Sequence, residues 1–112
     1  MNSISFDDFM KVEICVGTIL TAEINNNLNN PAIVLTIDFG KKIGIKKSSA
    51  QLIANYTCDS LIKRQILAVV NFAPRQVGKI ISEVLVLGLS DNNNQPVLIS
   101  PDSNIKNGKK LY

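Results

Sequence analysis

Apolar and polar positions alternate over residues 13–24, where Ile14, Val16, Leu20, Ala22 and Ile24 share one parity and Glu13, Thr21 and Glu23 the other. A period of two over this length predicts a long, half-buried strand. Gly17 in its middle predicts a bend or bulge that lets one strand curve through two sheets of a barrel. The Asn-rich segment 25–31, ending in Pro31, reads as a loop. Ile33, Leu35, Ile37 and Phe39 then point inward and Thr36 and Asp38 outward, a second strand. Gly40 and Lys41 predict a turn, and 42–46 a third strand through Ile43 and Ile45. Ser48 reads as the cap of a short helix over 49–55 carrying Leu52 and Ile53, followed by a turn near 56–59. The nearly continuous apolar run 66–72 predicts a fourth strand and 82–88 a fifth. A turn at 91–94, a short extension at 97–99 and a polar tail at 107–110 complete the chain.

Before the first strand, Ser5 is placed to cap a short helix over 6–11, with Asp8 at the third position. Asp7 and Asp8 suit the positive end of the helix dipole. Phe6 and Phe9 share one face, and a helix this short is not stable alone. Its phenylalanines must therefore dock on their own barrel or on a second subunit. Five strands with a helix between the third and fourth is the order of an oligonucleotide/oligosaccharide-binding (OB) barrel. The expected fold is all-β: a five-stranded OB-fold Greek-key barrel with a short N-terminal helix, a short helix between strands 3 and 4, and a C-terminal strand extension. Such a barrel leaves a groove over strands two and three, where Lys41, Lys42, Lys46 and Lys47 fall by sequence.

Composition sets the outer limits. The 112 residues, 46% hydrophobic and 19% charged, predict a single domain over 1–112. A chain of that size buries roughly two-thirds of its unfolded surface without metal or disulfide staples. No apolar run approaches the ~20 residues that span a bilayer, and the start of the chain is acidic rather than leader-like, so a cytoplasmic protein with no membrane insertion is expected. Cys15 and Cys58 are far apart and read as free thiols.

Charge changes the picture more. The net charge is only +3, yet 41–79 holds eight basic residues (Lys41, Lys42, Lys46, Lys47, Lys63, Arg64, Arg75 and Lys79) against the single acid Asp59. A cationic middle points to an anionic partner, where the plainer alternative is a solvated surface. Catalytic chemistry is thin. With no histidine there is no imidazole base and no His-ligated metal. Lys46 and Lys47 adjoin Ser48 and Ser49, but a Ser-Lys dyad needs an apolar pocket that the sequence does not show. No enzyme activity, metal or cofactor is expected. Binders of flexible single strands stack bases on aromatics. Phe39 and Phe72 look inward here, leaving Tyr56 and Tyr112 as the available platforms. Basic residues with so few aromatics favour a folded RNA, read by backbone and shape.

The segment 71–88 runs strand, basic loop, strand, with Pro74, Arg75, Gly78 and Lys79 at the bend. It carries a family resemblance together with Phe6-Asp7-Asp8-Phe9, Val16-Gly17-Thr18-Ile19, Ile37-Asp38-Phe39-Gly40, the run 43–51 from Ile43 to Gln51, and Val69-Val70-Asn71-Phe72. The Asp38-Phe39-Gly40 triplet is not a kinase element, because 112 residues cannot hold a kinase. Across nearly its whole length the chain resembles the CsaA-type secretion chaperones of the tRNA-binding domain family. The resemblance implies the OB barrel and a homodimer with Phe6 and Phe9 at the interface. It implies tRNA as partner, with contacts on Lys46, Ser48, Ser49, Asn71, Arg75, Lys79, Ser82 and Glu83. The alternative it implies is an export-related chaperone whose partners are unfolded or export-bound polypeptides. One departure stands out: where the family tends to carry glycine three residues before the serine at Ser82, this chain has Lys79, with glycine moved to Gly78.

Overall fold

The computed structural model describes residues 1–26 and 31–112, so the loop expected over 25–31 lies outside the described residues at 27–30. Ser5 does cap α1 (Phe6–Met10): its hydroxyl accepts from the Asp8 N–H at 3.0 Å, with Asp7 and Asp8 in the first turn. β1 (Ile14–Asn25) pairs antiparallel with β2 (Ala32–Asp38). Their register shifts between Ile19 and Thr21, so the irregularity expected at Gly17 sits at Leu20. An extra residue there changes which parity faces inward: Cys15 and Ile19 are buried before it, and Ala22 packs against the core after it. Gly17 serves packing instead. A Cβ at Gly17 would lie 2.6 Å from Ile37 Cγ2 and 2.7 Å from the Phe39 ring.

Three expectations between the second and fourth strands need correction. Residues 41–43, expected as turn and strand, form α2 (Gly40–Ile43), entered and left through Gly40 and Gly44 at φ 88° and 89°. The Asp38 carboxylate accepts from the Gly40 N–H at 2.8 Å and starts this tight turn. β3 therefore runs over Ile45–Ala50, and no helix forms over 49–55. Ser48, Ser49 and Ala50 are held in the ladder opposite Leu35, Val34 and Ile33, which outweighs the capping tendency of Ser48. The helix between strands three and four is α3 (Cys58–Leu61), where a turn had been expected. Thr57 and Ser60 cap it reciprocally, each side chain accepting the other's N–H at 3.1 Å.

β4 (Gln65–Val69) pairs with β1 over Ile14–Thr18. The expected fifth strand is broken into shorter pieces. β5 (Arg75–Val77) and β6 (Ile80–Ser82) form a hairpin, β7 (Leu85–Val86) pairs with β4, and β8 (Gly88–Ser90) pairs with β9 (Pro96–Leu98). The main sheet has the order β3-β2-β1-β4-β7, a curled five-stranded antiparallel half-barrel of the OB type. Ile19, Ile33, Leu35, Ile37, Phe39, Leu61 and Ile66 fill it. Among the described residues no helix is long and apolar enough to cross a membrane.

The polar tail does structural work. Along Ile14–Val16, which β2 does not reach, the edge of β1 opposite β4 is taken by residues 108–111: Gly108 N–H donates to Val16 O at 2.8 Å, Val16 N–H to Lys109 O at 3.0 Å, and Leu111 N–H to Ile14 O at 2.7 Å. Gly108 sits at φ 92°, and a Cβ there would lie 2.5 Å from the Phe39 carbonyl oxygen. Cys15, opposite Lys110, is buried, and burial first and the Glu13 charge second push its thiol pKa up.

At the β8–β9 turn the Asp91 carboxylate accepts from Gln95 N–H at 2.9 Å, Asn55 Nδ2 at 2.9 Å and Asn93 N–H at 2.8 Å. These bonds, Gln95's first, favour the charged form and lower its pKa. A carboxyl whose folded pKa is depressed contributes stability above its unfolded value of about 3.9 and loses it as pH falls through the folded value. Asp91→Asn is therefore expected to melt at a lower temperature than the unaltered protein at pH 7. The gap should close as pH falls below the unfolded value and through the lower folded one. Thermal melts of both proteins across that range check it; a pH-independent gap would mean the charge is not involved.

Candidate nucleic-acid interface

The hairpin of β5 and β6 stands on the barrel seam. Arg75 pairs with Ser82, Gln76 with Ile81 and Val77 with Ile80, leaving Gly78 and Lys79 as a two-residue turn. Gly78 has φ 61°, the left-handed conformation that a two-residue hairpin demands at its first position. Glycine at 78 thus meets the turn's backbone requirement and leaves position 79 open to a lysine. Arg75 and Lys79 are exposed, and among the described residues neither side chain has a hydrogen bond or ion pair.

The other expected RNA contacts fall into two groups. Lys46, Ser48, Ser49, Ser82 and Glu83 come together where β3 meets residues 82–84. Ser48 Oγ donates to Val84 O at 3.1 Å, and Ser49 N–H donates to Ser82 Oγ at 3.1 Å. Glu83 N–H donates to Lys47 O at 2.8 Å, while its carboxylate accepts the Lys47 N–H at 3.0 Å and lies 3.9 Å from the Lys46 ammonium. These groups close the barrel between strands whose backbones do not form a regular ladder. The Glu83 carboxylate, an odd companion for phosphates, has its role in that seam. Ser48 and Ser82 are buried. Asn71 lies apart: its Oδ1 accepts from Glu13 N–H at 2.9 Å and its Nδ2 donates to Lys11 O at 2.8 Å, tying the end of α1 to β4.

Two concavities border the hairpin. One, of about 600 Å³, is lined by Ser48, Ser49, Arg75, Ser82 and Glu83 but is mainly apolar, with Leu52, Phe72, Leu85, Val86 and Leu98 in its walls. Phe72, expected to face inward, is 55% exposed there, since β4 ends at Val69. The second, of about 410 Å³, lies between the hairpin turn and the outer face of β1 and β2; Lys79 and Lys47 line it together. Sequence reasoning placed Lys47 near the groove without assigning it a contact, and did not consider Glu23, Thr21 or Thr36, which share this cleft. Their common parity with the cross-strand partners Thr21↔Thr36 and Thr36↔Lys47 was the available signal.

Of the aromatic platforms, Tyr56 is occupied: the Arg64 guanidinium lies 5.3 Å from its ring centre and its hydroxyl accepts from Leu98 N–H at 2.9 Å. Tyr112 is fully exposed. No residue of α1 is buried, and Phe6 is 73% exposed while Phe9 is half-buried.

A curled OB half-barrel with a basic hairpin at its seam matches a family model described as "Putative tRNA binding domain" over residues 14–110. The chain belongs to the tRNA-binding domain family. It is similar to the crystal structure of chaperone CsaA from Bacillus anthracis, with a TM-score of 0.93 and 41% identity over 99% of this chain and 100% of that one. CsaA from Picrophilus torridus is similarly related, with a TM-score of 0.89 and 44% identity over 98% of this chain and all of that chain. Among curated proteins, the methionine–tRNA ligase of Parabacteroides distasonis is 28% identical over 111 residues, 97% of this chain. The chain spans only 16% of the length of that ligase.

Proposed function

We propose that this protein is a non-catalytic, single-domain tRNA-binding module of the CsaA type, acting in the cytoplasm as a homodimer and reading folded RNA through its basic loops. The observation that carries the reading is the hairpin: Arg75 and Lys79 are held out from a rigid seam with no internal partner among the described residues, in a chain of the tRNA-binding domain family. Lys46 adds a third cation beside the seam, 3.9 Å from the Glu83 carboxylate. Ser48, Ser49, Asn71, Ser82 and Glu83 then contribute by fixing the shape on which these cations stand. The dimer is supported by α1, whose five residues and exposed Phe6 call for a partner surface, with Phe9 beside it.

The test is a titration of bulk tRNA at two salt concentrations, with duplex DNA as competitor. Roughly four phosphate contacts give a log–log salt slope near −3 to −4. Saturable, salt-weakened binding that duplex DNA does not displace supports the reading; no binding at low salt overturns it. A second reading, an export-related chaperone for unfolded or export-bound polypeptides, is favoured by one observation, the 600 Å³ apolar groove with Phe72 and Leu85 exposed at its margin. Holding an unfolded client soluble at high salt, where charge attraction is screened, distinguishes it.

A further inference from the structure

The cleft between the hairpin turn and the outer face of the sheet combines charged groups that, among the described residues, form no ion pair with one another. Thr21, Thr36 and Lys47 form one cross-strand row on β1, β2 and β3, and Glu23 lies two residues along from Thr21 on the same face. Lys79 and Ile80 close the cleft from the hairpin side. The two threonine hydroxyls are 2.6 Å apart, one donating to the other, so the pair still offers one donor and free lone pairs. Among the described residues, neither the Lys47 nor the Lys79 ammonium nor the Glu23 carboxylate has an ion-pair partner, although all three line the same space. Two unpaired cations fit a phosphate. A carboxylate in the same cleft repels phosphate unless the ligand also presents a hydrogen-bond donor, because an ionised carboxylate can only accept.

RNA offers that combination one sugar away from every phosphate. Its 2′-hydroxyl is a donor, and DNA lacks it. Resting on the tRNA-binding reading above, we propose that this cleft seats one ribonucleotide of the bound RNA, its phosphate between Lys47 and Lys79 and its 2′-hydroxyl donating to Glu23. Glu23 is then the residue that selects ribose over deoxyribose, and Lys47 is an RNA contact in addition to those of the hairpin and seam.

The experiment compares one tRNA transcript with a DNA strand of the same sequence and pairing, titrated against the unaltered protein and its Glu23→Ala, Glu23→Gln and Lys47→Ala variants. A hydrogen bond to a charged acceptor corresponds to about tenfold or more in affinity. The unaltered protein should prefer the ribose strand by about that factor. Glu23→Ala should collapse the preference by weakening RNA binding while DNA binding holds or tightens. Glu23→Gln, which keeps an acceptor, should retain part of it. Lys47→Ala should weaken both strands and reduce the salt slope by about 0.7–0.9. Equal tightening of both strands in Glu23→Ala, or an unchanged ratio, overturns the ribose contact while leaving tRNA binding intact. An unchanged affinity and slope in Lys47→Ala removes the cleft from the site. Failure of the unaltered protein to bind the transcript at all overturns the tRNA reading, and this proposal with it.

Discussion

Alanine in place of Phe39 is expected to cost about 3–5 kcal/mol, a large share of the ~5–15 kcal/mol that holds a domain of this kind together. Phe39 is fully buried at the point where β2 leaves the barrel, and its neighbours cannot collapse into the space it would vacate. Gly17 has no side chain to move there, and Gly108, packed against the Phe39 carbonyl, has none either. Urea unfolding should show a lower midpoint at an unchanged slope. The packing argument has a second arm. Gly17→Ala alone should destabilise by about 1–3 kcal/mol through overpacking. In the Phe39→Ala background its cost should shrink but not vanish, because the clash with Ile37 Cγ2 at 2.6 Å remains. Strict additivity of the two substitutions would show that the ring and the missing Cβ are not in contact.

Alanine at both Arg75 and Lys79 is expected to have the largest effect on RNA binding. Each cation that leaves the interface removes about 0.7–0.9 from the salt slope, so the double variant should lose about 1.4–1.8 of a slope near −3 to −4. At low salt that is a loss of one to two orders of magnitude in affinity, on the order of 1.4–2.8 kcal/mol. Stability should hardly change, since both side chains are exposed and the hairpin register rests on backbone pairing and on Gly78. Parallel titration and unfolding of the same variant separate the two effects. An unchanged slope would exclude the hairpin from the binding surface.

Much of the fold could be read from the chain because local signals agreed with tertiary ones. Ser5 had one available role, the alternation from Ile33 to Phe39 is uninterrupted, and Asp91 with its asparagines could only turn. The failures have identifiable causes. Leu20, Ala22 and Ile24 keep a period of two across the bulge, so the pattern conceals the very residue that shifts the register. Ser48 and Ser49 carry strong capping propensity and lost to the ladder with β2, a long-range pairing with no local signature. The Thr57–Ser60 capping box uses serine where glutamate or glutamine is the usual sign. In the candidate site, the family resemblance pointed to residues of which Arg75 and Lys79 are open to solvent while Ser48, Ser82 and Glu83 spend their polar atoms on the seam. Lys47, placed near the groove, and Glu23, placed on the outward face, were not joined into one site because they share a cleft only across strands and beneath a hairpin that the sequence reads as a loop.

The strap at 108–111 sets the order in which this barrel can be assembled during synthesis. Cys15 faces Lys110, so the start of the first strand keeps one edge uncovered until residues 108–111 have been translated. Pairings at that separation form slowly. Until then a nascent chain presents an uncapped strand edge, the kind of surface that invites pairing with a neighbouring chain on the same messenger. The hydrogen bonds of residues 108–111 to β1 therefore enter the barrel after the β1–β2 and β1–β4 pairings can form.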